Sequence, residues 1–278
     1  MEIEVIKQKD KNKLNFIIRG SNDTFVNALR RTIIGEVPTL AIEDIILVEN
    51  TSPVLDEMIA HRLGLIPLTT PVDDFTVASE CENCGGEGCS FCSVPLTLDV
   101  EATGSDEMTA YSKDLISNDP KIVPVTEKVQ IAKLGPGQKI TLEAIAMMGR
   151  GREHAKWSPA VTCAYRYYPK VVQDSSKCTG CGECVEACPK NILTVSKKVV
   201  KLTQPTECLL CDLCTKACAY DSLVMSNVEG DYIFFLESTG AIAPLDIFRK
   251  ATEILKSKAK EFETAYKVAH ENYMKKKK

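Results

Sequence analysis

Apolar residues alternate with polar ones at Ile3 and Val5, and again at Phe16 and Ile18, on either side of a polar Lys9-Asp10-Lys11-Asn12 stretch. A period of two on both sides of a polar turn predicts a β-hairpin over residues 1–20. The period then lengthens. Phe25, Leu29 and Ile33, with Ala28 and Thr32, share one face of a helix that Ser21, Asn22 or Asp23 can cap and that Gly35 and Pro38 end. A β-rich run covers residues 41–48, and short strands and turns continue to about residue 168. Within them Gly135-Pro136-Gly137 separates Val129-Gln130-Ile131 from Ile140-Thr141-Leu142, a hairpin signal. The aromatic patch at residues 165–168 suits a partner contact and ordinary strand packing equally.

After Pro244, Ile247, Phe248, Ala251, Ile254, Leu255, Ala259, Phe262, Ala265, Tyr266 and Ala269 recur at helical spacing. This predicts one long amphipathic helix whose apolar stripe must be covered by its own body or by another chain. The small size of the β-rich remainder favours another chain.

Length sets the scale: 278 residues suit two or three modules. With 44% hydrophobic and 26% charged residues the chain can bury a core, which excludes wholesale disorder. No apolar run reaches the ~18 residues of a membrane span. The opening Met1-Glu2-Ile3-Glu4-Val5 lacks the basic-then-apolar order of a secretory signal, so a soluble, cytoplasmic protein is expected. Residues 245–278 carry ten Lys and Arg against five Asp and Glu, which leaves 24 basic and 33 acidic residues elsewhere. An acidic body of this kind is a poor general nucleic-acid binder. The closing run Lys275 to Lys278 reads as a solvated end.

Thirteen cysteines, an odd number, argue against a disulfide framework and for metal chemistry. Cys163 stands alone and reads as a small buried hydrophobe. Eight others form two runs: Cys178-x2-Cys181-x2-Cys184-x3-Cys188-Pro189 and Cys208-x2-Cys211-x2-Cys214-x3-Cys218. Both resemble the bacterial-type ferredoxin run, in which three thiolates hold one cube and the fourth reaches the second. That resemblance assigns Cys178, Cys181, Cys184 and Cys218 to one [4Fe-4S] cluster, and Cys208, Cys211, Cys214 and Cys188 to the other. Zinc in these eight is the alternative that the tandem spacing disfavours. Gly180 and Gly182 suit close approach of backbone to sulfur, whereas the second run has Leu210 and Asp212 at those positions and Ala219 in place of Pro189. The remaining set, Cys81-x2-Cys84-x4-Cys89-x2-Cys92 with Gly85, Gly86 and Gly88, pairs two knuckles and suits a closed tetrahedral zinc. An unmetallated, partly oxidised set and a third iron site are its alternatives.

The sequence has no G-x4-G-K-[ST], no G-x-G-x-x-G after a strand and no D-x-D-x-D trio, and only three histidines. His61 and His154 lie in polar sequence and read as surface or packing residues. No active site is expected in this chain.

Asn27-Ala28-Leu29-Arg30-Arg31-Thr32, continuing through Val37-Pro38-Thr39-Leu40-Ala41-Ile42-Glu43, resembles the start of the α-type subunits of DNA-directed RNA polymerases. So do the run from Asp56 to Pro67 and the block His154-Ala155-Lys156-Trp157-Ser158-Pro159. Together with the cysteine runs, these resemble the archaeal branch of that family, in members that carry a two-cluster ferredoxin-like domain. The resemblance implies an α+β protein of three modules: a discontinuous dimerisation domain of residues 1–45 plus 224–278, an insert domain of 46–169 with the four-cysteine loop, and a ferredoxin-like domain of 170–223. It implies a non-catalytic assembly platform that heterodimerises with subunit L and nucleates binding of the large subunits, alongside small assembly subunits. Phe25, Leu29, Ile33, Phe248, Leu255 and Phe262 are the expected interface, and Arg30, Arg31, His61 and Arg62 either meet a large subunit or face solvent. No sequence-specific nucleic-acid contact and no membrane is expected. The competing reading is an iron-sulfur electron-transfer subunit of an oxidoreductase.

Overall fold

The computed structural model describes residues 1–6 and 10–276. Lys9 of the expected turn, and Lys277 and Lys278 of the expected solvated end, lie outside the described residues. The chain is mixed α+β, as expected. In chain order its elements are β1 (Glu2–Ile6), β2 (Lys13–Arg19), α1 (Asp23–Gly35), β3 (Pro38–Asn50), α2 (Asp56–Gly64), β4 (Ser93–Glu101), β5 (Met108–Tyr111), β6 (Leu115–Ser117), β7 (Gln130–Leu134), β8 (Lys139–Arg150), β9 (Ala160–Gln173), α3 (Glu183–Glu186), β10 (Leu193–Ser196), β11 (Val199–Leu202), α4 (Leu213–Lys216), β12 (Leu223–Ser238) and α5 (Pro244–Lys276). The described residues form two compact units, residues 1–6, 14–27 and 164–235, and residues 10–13, 28–163 and 236–276.

The first unit is built on a sheet of order β1-β2-β12-β9. The expected hairpin is present, with Glu2 opposite Arg19 and Ile6 opposite Asn15. Phe16 of β2 stacks on Phe234 of β12 with ring centroids 5.1 Å apart. Arg19, on β2, ties all four strands together: it donates to Glu4 of β1 at 3.1 Å and to Asp231 of β12 at 3.2 Å, and its guanidinium lies over the Tyr168 ring of β9. Tyr165 and Tyr167, two residues apart on one face of β9, both pack on Tyr232. The aromatic patch is therefore engaged in strand packing. Asn22 caps α1 by accepting the Phe25 N–H at 2.8 Å.

The second unit is organised by a sheet of order β3-β8-β4-β6 with a separate β5-β7 pair. Along β8, Ile140, Leu142, Ala144, Ala146 and Met148 alternate into the core, where they join Val94, Leu96, Leu98 and Val100 of β4 and Ile59 and Leu63 of α2. The Gly135-Pro136-Gly137 turn exists, with the Gln138 N–H on the Gly135 carbonyl at 3.0 Å, but it does not join a paired hairpin. Both edges of β8 are taken by β3 and β4, so β7 pairs with β5. A central strand has no third edge to offer.

Two side chains close one end of this sheet. The Trp157 indole donates to the Met147 carbonyl at 3.0 Å, and Thr39 donates to the Trp157 carbonyl at 2.8 Å. Lys156 donates to the Ile42 carbonyl and to Glu43, beside the bulge that β3 makes between Ile42 and Asp44. The block of residues 154–159 is thus a packing element of the sheet.

Helix α5 buries Ile247 and Ala251 and half-buries Phe248 and Leu255, while every residue from 256 to 275 is exposed. Leu29 and Ile33, expected at an interface with another chain, are 1% and 0% exposed within this chain. They have no surface left to offer a partner. A helical period records that a face is covered and carries no information on which chain covers it. Phe25 and Phe262 are exposed, the latter at 75%. Among the described residues no helix is long and apolar enough to cross a membrane.

Candidate metal centres

The eight tandem cysteines sit in an internal repeat with an offset of 30 residues. Helix α3 follows Gly182 and α4 follows Asp212, and each opening residue has a left-handed backbone, at φ 91° and 58°. The Ala187 N–H bonds the Glu183 carbonyl at 2.9 Å and the Ala217 N–H bonds the Leu213 carbonyl at 3.0 Å. Past each fourth cysteine the chain turns alike, with the Asn191 N–H on the Cys188 carbonyl and the Asp221 N–H on the Cys218 carbonyl. Leu210 and Asp212 hold the left-handed conformations of Gly180 and Gly182 without being glycine. For an L-residue that costs roughly 1–2 kcal/mol, less for Asp, so the second half keeps the backbone trace at the expense of local strain.

This repeat brings the cysteines together crosswise. Cys178, Cys181 and Cys184 line one small cavity with Cys218, together with Val195, Val200, Tyr220 and Leu223. Cys208, Cys211 and Cys214 line a second with Cys188, walled by Pro189, Ile192, Leu193, Leu202 and Met225. In each cavity three sulfurs come from one half and one from the other. Among the described residues all thirteen cysteines are free thiols. Burial pushes the Cys184 and Cys214 thiols up. The Cys218 thiol is pushed down, chiefly by the Ser222 hydroxyl, 3.1 Å from its sulfur, which with smaller backbone N–H contributions outweighs its burial. Four thiols around a small apolar-walled space are the donor set that an iron-sulfur cube requires.

Arg166, on β9, donates to the Thr206 carbonyl two residues before Cys208 and lies over the Phe235 ring, 4.7 Å from its centroid. It anchors the segment that leads into the second cysteine run. Nothing in the sequence pattern marks it.

In the second unit Cys81, Cys84, Cys89 and Cys92 converge, with all four sulfurs within 4.8 Å of one another. Sulfur separations are 3.7 Å for Cys81–Cys89, 3.5 Å for Cys84–Cys92 and 3.8 Å for Cys89–Cys92. Four sulfurs each about 2.3 Å from a central zinc lie roughly 3.8 Å apart, so these three separations match those of a zinc tetrahedron. Gly85, Gly86 and Gly88 have φ of 62°, 100° and 98°, which reverses the chain between the knuckles. Arg150 on β8 makes a two-point contact with Glu80, just before Cys81, and the Met148 N–H bonds the Cys92 carbonyl at 3.0 Å. The loop is thereby pinned to the sheet at both ends.

Electrostatics differ among these four. The Asn83 side chain and the Phe91 N–H bring Cys89 down to about 6. Burial sends Cys92 up to about 12. Burial also opposes ionisation of Cys84, yet the Gly86 and Gly88 N–H groups and neighbouring thiols leave it below the usual thiol value.

The other single residues fall away from these centres. Cys163 is pushed up to about 12 by burial, and its sulfur rests 3.8 Å from the Arg30 carbonyl, an inert packing position. His154 accepts the Lys156 N–H at Nδ1, a local bond, and Arg62 donates to the Ile131 carbonyl, a bond from α2 to β7.

Comparison with known proteins bears on both units. The RNA polymerase Rpb3/RpoA insert domain family matches residues 44–161, and the 4Fe-4S binding domain family matches residues 171–194. The chain is 39% identical to DNA-directed RNA polymerase subunit Rpo3 of Methanosarcina acetivorans, over 94% of this chain and 96% of that protein. It is 40% identical to subunit Rpo3 of Methanosphaera stadtmanae over 93% and 96%, and 38% identical to that of Archaeoglobus fulgidus over 94% and 96%.

Proposed function

Because the chain belongs to the Rpo3 family of DNA-directed RNA polymerase subunits, we propose that it serves as a non-catalytic assembly platform of that nucleotidyltransferase, in the cytoplasm. It pairs with subunit L, and the pair nucleates binding of the large subunits and the small assembly subunits. The observation that carries this reading is near-full-length similarity to relatives that are themselves polymerase subunits, spanning both the insert domain and the cysteine runs. The modules are a dimerisation domain of residues 1–45 plus 224–278, an insert domain of 46–169 and a ferredoxin-like domain of 170–223. Phe25, Phe248, Leu255 and Phe262 face the partner, joined by the exposed Tyr266 and Val268. Leu29 and Ile33 support that surface from within the chain.

The iron-sulfur module holds two [4Fe-4S] clusters, one on Cys178, Cys181, Cys184 and Cys218 and one on Cys208, Cys211, Cys214 and Cys188. The crosswise grouping of sulfurs supports this ligand set. When bound, each cluster supplies covalent cross-links between the two halves of a module with a small apolar core. The clusters stabilise the module and, through the exposed Cys181 and Cys211, sense oxidants. The insert-domain cysteines hold one structural zinc, which the tetrahedral sulfur spacing supports.

Copurification tests the platform reading: a tagged chain expressed in its own cells should recover subunit L and the large polymerase subunits together. Recovery with a flavoprotein and without polymerase subunits would establish the oxidoreductase reading instead.

A further inference from the structure

The internal repeat isolates one chemical difference between the two cluster sites. Offset by 30 residues, Ser222 occupies the position of Ile192. Both backbones are clamped the same way: the Ser222 carbonyl accepts the Asp174 N–H at 2.8 Å, and the Ile192 carbonyl accepts the Thr203 N–H at 2.9 Å. Both side chains are buried, at 5% and 3% exposure. The Ile192 carbonyl also accepts the Thr203 hydroxyl at 3.0 Å, and the main difference between the two positions is the side chain. Ser222 Oγ lies 3.1 Å from Cys218 Sγ, and the Ser222 N–H adds a second contact to the same sulfur at 3.4 Å. Ile192 lines the second cavity beside Cys188 and has no donor to give.

We infer that Ser222 makes the two clusters electronically non-equivalent, by donating its hydroxyl hydrogen to the Cys218 ligand and holding that cluster's reduction potential above the value it would have with an apolar residue there. This rests on the two-cluster reading above. A thiolate ligand becomes more electron-rich when its cube gains one electron, so a hydrogen bond to it favours the reduced form. No proton moves, and the electron comes from the external titrant. Burial of Ser222 keeps water from substituting for the hydroxyl.

The test is a redox titration of the full chain, anaerobically reconstituted in its partner complex, with dithionite as reductant and the reduced clusters followed by electron paramagnetic resonance. Cys178→Ser and Cys208→Ser identify which wave belongs to which cluster. Ser222→Ala is expected to lower only the midpoint of the wave that Cys178→Ser removes, and Ser222→Thr, which keeps the hydroxyl, to restore it. An unchanged midpoint, or equal movement of both waves, overturns the inference. If Ser222→Ala loses iron, Ile192→Thr takes its place: a raised midpoint for the wave that Cys208→Ser removes supports the role of this position, and no change overturns it. Wild-type protein with about four iron atoms and a single wave would overturn the two-cluster reading itself, before any variant is made.

Discussion

Trp157 fills the space that any side chain at Gly149 would need: a Cβ placed there would lie well inside contact distance of both Cδ2 and Cε2 of the indole. The indole is also the hydrogen-bonding plug at the end of the β3–β8 pair, so it has no room to withdraw.

Gly149→Ala is therefore expected to destabilise the insert domain by at least the ~1–3 kcal/mol typical of overpacking. Trp157 is the chain's single tryptophan, so its fluorescence reports the change directly. An unaltered emission maximum and urea midpoint would show that the indole moves aside at little cost.

Anaerobically prepared protein is expected to contain about eight iron atoms, and the fourth cysteine of each run should serve the other run's site. Cys188→Ser should therefore abolish the same spectroscopic signal as Cys211→Ser, and Cys218→Ser the same signal as Cys181→Ser. The opposite correspondence would mean that each run ligates its own cluster.

The four-cysteine loop is expected to bind one zinc with an affinity that falls on acidification, since its ligands must be thiolates. Cys89 is depressed to about 6, so in the metal-free chain its stabilising contribution is present above the ordinary thiol pKa and is lost as pH falls through about 6. Cys92 runs the other way: it is held neutral up to about 12, and zinc must displace its proton. Competition with a chromogenic chelator between pH 5 and pH 8 measures this. A pH-independent affinity would exclude thiolate ligation.

If the chain pairs with subunit L as proposed, Phe262→Asp should weaken that pairing while leaving the chain folded, because this side chain is uncovered within its own chain. Loss of one such buried side chain is worth ~1.5–3 kcal/mol, or roughly ten- to hundredfold in affinity. Leu29→Asp should instead unfold the chain, since it places a charge in the core. Circular dichroism and a pull-down read the two outcomes separately. Normal pairing by Phe262→Asp would remove the outer half of α5 from the interface.

The grouping of the tandem cysteines is the most legible part of the sequence, because coordination chemistry fixes cysteine spacing before any tertiary context acts. The strain at Leu210 and Asp212 is half legible: both depart from the glycine pattern, but the retained left-handed backbone emerges only in the fold. Leu29 and Ile33 are legible as a covered face and not as to what covers them. The 135–137 turn is visible, while its strands' pairing depends on which edges of β8 are already occupied. Ser222 is silent because a serine carries no spacing signal of its own; aligning the two halves at their 30-residue offset exposes it against Ile192.

Twenty consecutive residues of α5, 256–275, extend about 30 Å of helix with no side chain buried. No tertiary packing supports this stretch, which leaves it to helix propensity and to internal pairs such as Lys267 and Glu263. Free subunits would therefore present a cleavable segment that pairing protects. Were subunit L to cover this stretch as proposed, degradation of the unpaired form would hold the two partners in equal supply, and the bare half of α5 would act as a gauge of stoichiometry.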